Sequence, residues 1–150
     1  MISIVLGFSD LLAGALLSGA MFGVWLLFNP RSMSGTEYLQ QHKHGVRTLD
    51  PALPILGATT IVLTMALAGL GHDNGQRVAA LLAAGGCYLA AGLVTRFINQ
   101  PINSIVMTWA SEALPANWID YRLKWWRWHI VRTGAAILGL CLLIAAQLSH

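Results

Sequence analysis

Arg122, Trp125, His129 and Arg132 are separated by three, four and three residues, a spacing that puts all of them on one stripe of a helix. An imidazole in such a place can take up a proton near neutral pH, donate a hydrogen bond or ligate a metal. Guanidinium groups beside it can stabilise an oxyanion. Arg132 can equally extend towards lipid phosphates, and His129 can equally be an interfacial histidine bonded to a neighbour. A second concentration of polar groups is RFINQPINS, residues 96–104, where Arg96 precedes the carboxamides of Asn99, Gln100 and Asn103 and Pro101 stands among them. Two readings stay open. In one, the amides donate to carbonyls freed where Pro101 ends a helix. In the other, the amides and Arg96 bind a carbonyl or enolate oxygen.

The elements that must hold these groups are apolar. Of the 150 residues 56% are hydrophobic and 10% charged, and the mean hydropathy is +0.62, outside the range of ordinary soluble domains. Four stretches, about 4–28, 52–71, 78–98 and 129–148, can each cross about 30 Å of hydrocarbon at roughly 1.5 Å per helical residue. The expected fold is all-α, a four-transmembrane-helix bundle forming a single domain over residues 1–150, with short interfacial helices in the two cytoplasmic connections. The first stretch has no basic residue ahead of it and outruns a secretory signal, so it is expected to be retained.

Eight of the nine basic residues, Arg31, Lys43, Arg47, Arg96, Arg122, Lys124, Arg127 and Arg132, lie in or beside the first and third connections, which leaves Arg77 opposite. The positive-inside tendency makes that face cytoplasmic and puts both termini outside, in the cell inner or plasma membrane. The basic balance then reads as topology and contact with anionic membrane lipid, with no nucleic-acid module. All six tryptophans, Trp25, Trp109, Trp118, Trp125, Trp126 and Trp128, map to that end. Anchoring at the interface explains several of them, and an aromatic-lined pocket would explain the asymmetry.

In the first connection Ser34 precedes Glu37 by three residues, a capping-box spacing, and Leu39, His42, Val46 and Leu49 continue a helical stripe that should stop near Asp50, ahead of Pro51. His42 and His44 of HKHGVR are two apart and point to different faces, so they cannot readily chelate one metal together; they read as solvated surface, with His42 the better inward candidate because it joins the apolar stripe. The second connection, HDNGQ, reads as a tight turn. In the third, Ile102, Ile105, Val106, Trp109 and Ala113 share one face of an interfacial helix that Pro115 closes, and Asn117 can cap the next helix. A helix of about 30 residues, roughly 45 Å, follows and projects beyond the hydrocarbon.

Small residues recur along helices one and three, as in AAGGCYLAAG, and permit close packing within the bundle or in a homo-oligomer. Cys87 and Cys141 read as small buried apolar residues. Asp10 is a carboxylate inside a predicted span. Its expected role is an interhelical hydrogen bond, with Gln147 at similar depth.

The layout of four spans, the NQPIN signature at Asn99 to Asn103 and the tryptophans followed by WHIVR resemble the anthrone oxygenase-like family of integral membrane proteins. The residues matching the family pattern are Asn99, Pro101, Asn103, Trp125 or Trp126, His129 and Arg132. The resemblance implies a monooxygenase that inserts oxygen into an anthrone, giving an anthraquinone, with no evident metal or flavin.

On this reading the partner is a hydrophobic aromatic or phenolic small molecule bound at the cytoplasmic mouth. His129 is the expected base, Arg132 and Arg96 stabilise the oxyanion, Asn99 and Asn103 hold the substrate oxygen, and Trp25, Trp125 and Trp126 stack on its rings. No cofactor is expected. An alternative is a haem- or metal-binding redox protein with His129 and His42 as axial ligands. A further alternative is a non-catalytic module that binds lipid or a small molecule, or serves a larger complex.

Overall fold

A computed structural model describes residues 1–28, 30–70 and 74–149, with the backbone alone of Arg31. The long apolar runs become α1 (Ile2–Leu27), α3 (Ala52–Leu70), α4 (Gly75–Val94) and α6 (Trp118–Leu148); α2 (Gly35–Leu49) lies between the first two. Neighbouring pairs α1·α3, α3·α4, α4·α6 and α6·α1 close a ring of four helices. Large apolar side chains such as Phe8, Val62, Leu93 and Leu138 stand exposed on its outside, as expected where hydrocarbon replaces water as solvent. The chain is an integral membrane protein. Of the expected turn HDNGQ, His72 and Asp73 lie outside the described residues. From Gly75 onward the polypeptide is helical, and Asn74 caps it, its side chain accepting from Arg77 N at 3.1 Å.

Packing divides into two cores. Within the spans Leu17, Leu67, Leu81, Tyr88, Ala136 and Leu143 pack together. There α4 and α6 come close at Gly139, where an added Cβ would stand 3.2 Å from Cys87 Cβ and 3.3 Å from the Ala84 carbonyl. Gly139→Leu is expected to destabilise the bundle by about 1–3 kcal/mol, because backbone at that distance cannot give way as a side-chain tip can. Thermal unfolding in detergent measures the loss. Cys87 is half-buried and Cys141 is exposed, both free, which corrects their reading as buried residues: Cys141 faces outward from the ring. Asp10 is fully buried and does bond between helices. Its partner is Thr64, whose hydroxyl donates at 3.0 Å, whereas Gln147 accepts from Arg77 at 3.3 Å.

The second core, Tyr38, Leu39, Ile102, Val106, Trp125 and Trp126, lies at the end of the bundle that carries the first and third connections. It is built on α2 and on the first turns of α6, a helix of 31 residues and hence roughly 46 Å long. Ser34 opens α2 with a full capping box: its hydroxyl accepts from Glu37 N, and the Glu37 carboxylate accepts from Ser34 N. The Ser34 hydrogen bonds hold the exposed Glu37 carboxyl below its ordinary value. The helix stops at Leu49, before Asp50 and Pro51, as expected.

Three expectations fail in the third connection. Pro101 does not end a helix: α4 continues through a π-helical turn, Thr95–Asn99, into α5 (Gln100–Met107), a helix unbroken from Gly75 to Met107. Proline lacks an N–H and its ring crowds the carbonyl four residues back. The wider turn immediately ahead, in which Gln100 N–H reaches the Thr95 carbonyl, lets the chain pass it. The interfacial helix expected in this connection is therefore the tail of the third span. It stops at Met107, not near Pro115. Thr108 N–H and Trp109 N–H fold back in three-residue turns, and Lys43 Nζ donates to the Trp109 carbonyl at 2.6 Å, satisfying an orphan acceptor with a cation at a helix C-terminus. Asn117 stands at the N-cap of α6, but its side chain makes no capping bond.

Candidate functional site

A cavity of about 450 Å³ opens between α2, the start of α3, the π turn and α6, within the size range of small-molecule sites. Val24 and Leu27 of α1, Phe28 just beyond it, and Val46, Leu49 and Leu53 make it largely apolar. The polar groups on its inner wall are His42, Asp50, Thr95, Asn103, His129 and Arg132, and Gln40, Gln41 and His44 of α2 also line it.

Asn103 fixes the arrangement on one side. Trp125 Nε1 can only donate, and it lies 2.8 Å from Asn103 Oδ1; the Asp50 carboxylate can only accept, and its oxygens lie 3.3 and 3.4 Å from Nδ2. The amide orientation follows. His42 Nε2, 3.1 Å from the same Oδ1, must then carry the proton, which leaves Nδ1 as a bare acceptor with no bond to the described residues. Phe28, Tyr38 and Trp125 surround the ring, with centroids 6.3, 5.2 and 5.0 Å away. The buried Tyr38 hydroxyl is pushed up by desolvation, against the pull of Arg122.

Burial holds the His42 imidazole down at about 4, against its usual 6.5; the Asn103 hydrogen bond works the other way, and the Arg132 charge adds to the lowering. His42 is therefore neutral at neutral pH. Between those two values the unfolded chain binds the proton and the folded one does not, so this group's contribution to stability is intact above pH 6.5 and is lost as pH falls to about 4. The loss is on the order of 3 kcal/mol. A falling melting midpoint across that window, flattened in His42→Phe, is the expected result in detergent.

Arg132 and His129 form the other side. The Met21 carbonyl, 3.2 Å from His129 Nε2, can only accept, so Nε2 carries the proton and Nδ1 is the acceptor. That lone pair is taken by Arg132, whose Nε and Nη2 lie 3.2 and 3.1 Å away. Arg132 Nη1 donates to Thr95 Oγ1 at 3.1 Å, leaving one N–H on each terminal nitrogen without a described partner. Arg132 is 9% exposed, its guanidinium stands 5.9 Å from the centroid of the Trp125 ring, and no described carboxylate ion-pairs with it. The His129 ring lies parallel to Trp125, at 5.1 Å and 1°, and near-parallel to Trp126, at 5.8 Å and 22°.

The stripe Arg122, Trp125, His129 and Arg132 is thus buried along one side of α6, although Arg122 turns to the Met33 carbonyl at 2.9 Å and covers Trp118. Three other expected site residues stand apart. Arg96 is exposed and lines a different hollow. Trp25 is half-exposed beside Phe22. Asn99 is fully buried and donates to the Trp125 carbonyl at 3.1 Å, across to α6, so its amide neither seals carbonyls of its own helix nor faces the cavity. Trp126 supports His129 from outside the cavity.

Asp50 and Thr95 are cavity residues that the sequence does not mark as such. Asp50 reads as a helix stop beside Pro51, and Thr95 as one residue of an apolar run. The only signal for either is its helical distance from a polar neighbour, Asp50 lying eight residues beyond His42 on the same helix. For bis-histidine ligation of a haem, the nitrogens of His42 and His129 now engaged with Asn103, Met21 and Arg132 would first have to be released.

The family model described as Anthrone oxygenase matches residues 43–142, two thirds of the chain. The matched region holds Asn99, Asn103, Trp125, His129 and Arg132, and it begins one residue after His42. No curated protein matches the chain, and no solved structure does.

Proposed function

The chain belongs to the anthrone oxygenase family, and we propose that it oxidises a reduced, phenolic aromatic molecule in the cavity between α2 and α6. One observation carries this reading. A largely apolar cavity presents, on its wall, a buried guanidinium with free N–H groups and an imidazole with a bare nitrogen. That pairing of an acceptor for the proton with donors for the resulting oxyanion is what a neutral acidic aromatic needs if it is to lose a proton out of water.

In the proposed reaction His42 Nδ1 takes a proton from the ring methylene. The electron pair left behind delocalises onto the substrate's oxygen, which Arg132 binds. Asn103 fixes the reactive tautomer of His42, Asp50 fixes Asn103, and His129 fixes Arg132. These are positioning roles. The anion passes one electron to molecular oxygen, which removes the spin restriction, and the resulting radical pair joins carbon to oxygen as a peroxide anion that takes the proton back from His42 to become the hydroperoxide. Loss of water from CH–OOH gives the carbonyl, so the methylene is oxidised by four electrons and the two oxygen atoms end in the quinone and in water. The cavity lies at the end of the bundle beside eight of the nine basic residues, which supports a cytoplasmic mouth.

The test is turnover of anthrone by the purified protein in lipid nanodiscs under ¹⁸O₂. The expected product carries one labelled oxygen at the new carbonyl and forms with saturation kinetics above spontaneous oxidation. Formation at the spontaneous rate, without saturable quenching of tryptophan fluorescence by anthrone, would overturn the proposal.

A further inference from the structure

A second hollow, of about 420 Å³, lies beyond Thr95. Leu17 of α1, Gly57, Ala58 and Ile61 of α3 and Gly92 of α4 line it, with Arg96 and Gln100 at one margin. Pro54 and Thr95 belong to the walls of both hollows, so the two adjoin at these residues. Thr95 is also the residue whose hydroxyl accepts from Arg132.

The space exists because side chains are missing. A Cβ at Gly92 would meet nothing within 4 Å, and one at Gly57 would meet only the Leu17 methyls, at 3.9 Å. Ala58 and Gly92 are exposed and both stand inside membrane-spanning helices, so the hollow opens towards hydrocarbon. A flat, poorly soluble aromatic is concentrated there, since its transfer from water is favourable by about 25 cal/mol per Å² of apolar surface.

We propose that the hollow between α3 and α4 is a lateral entrance through which a bilayer-dissolved aromatic substrate passes Pro54 and Thr95 to reach the cavity. The inference rests on the functional reading above for the identity of the substrate. It adds the route, and it makes Thr95 the threshold. Arg96, excluded from the cavity, sits at the rim of the entrance.

The experiment uses the full chain in phosphatidylcholine nanodiscs and two photoreactive aromatic ketones. Benzophenone partitions into the bilayer, and a benzophenone sulfonate stays in water and reaches the cavity from its aqueous mouth. Adducts are mapped by mass spectrometry. Gly92→Phe is expected to cut benzophenone labelling of the α2 wall by about tenfold, while sulfonate labelling of the same peptide is unchanged. Ala58→Phe fills the hollow from the facing helix and should give the same pattern; sulfonate labelling reports that the site is intact in each variant. Undiminished benzophenone labelling of α2 in variants that keep sulfonate labelling overturns the entrance and leaves the cavity reading standing. If neither ketone labels α2 in the parent protein, the cavity reading falls, and the entrance with it.

Discussion

Arg132→Ala in nanodiscs should turn over anthrone about 100-fold to 1,000-fold more slowly than the parent, the usual consequence of removing a donor from a developing oxyanion. The expectation follows from what surrounds the guanidinium. Its described partners are an imidazole nitrogen, a hydroxyl and the face of the Trp125 ring, none of which neutralises it, and two of its N–H groups stay open to an anion. Arg132→Lys keeps the charge but loses the planar fork that grips His129 and Thr95 together. It should recover only part of the rate, with KM raised. A purely structural Arg132 would give a different result: a lower melting midpoint in both variants with kcat unchanged in the fraction that remains folded. Direct measurement of kcat and KM beside the melting midpoint separates the two.

The second large effect is expected at His42. His42→Phe fills the same space among Phe28, Tyr38 and Trp125 and leaves the Trp125 bond to Asn103 available, yet has no basic nitrogen. A fall in kcat of about 100-fold to 10,000-fold is the range for loss of a general base. The pH profile makes the assignment specific. With the imidazole held at about 4, parental kcat/KM should be level through neutrality and decline only as pH falls towards that value, where protonation consumes the acceptor. Asp50, Arg132 and Tyr38 are the charged or titratable groups facing it. In His42→Phe that acid limb should vanish. His129→Asn offers the contrast. It should raise KM through a misplaced Arg132 while keeping the limb, and a vanished limb there, with His42→Phe active, would return the base role to His129.

The bundle was legible because composition is a coarse quantity: runs of twenty apolar residues survive any detail of packing. The capping box of α2 was legible for the opposite reason, since Ser34 and Glu37 determine it between themselves. Pro101 misled. Its local chemistry argues for a stop, and only the tertiary context, with Asn99 bonding to α6 and Asn103 to α2 and α6, makes a widened turn worth its poorer hydrogen bonds. Which way an arginine points was likewise out of reach. Arg96 and Arg132 look equivalent as letters near a membrane surface, and only the rotation of each helix puts one in the cavity and the other outside. His42 could be read as inward from the stripe it shares with Leu39 and Val46. The bond that gives it a bare nitrogen depends on residue 103, sixty-one positions away.

The π turn also divides one rod into two independently phased lengths. Residues 75–94 meet α6 around Gly139, and residues 100–107 meet α2 and α6 around Asn103. An α-helix advances about 100° per residue. The additional residue therefore works as a clutch between a lipid-facing half, whose phase answers to close helix packing, and a ligand-facing half, whose phase answers to Asn103. Deleting one residue of Thr95–Asn99 would leave the first length seated against Gly139 and swing Asn103 roughly a quarter-turn away from Trp125, His42 and Asp50.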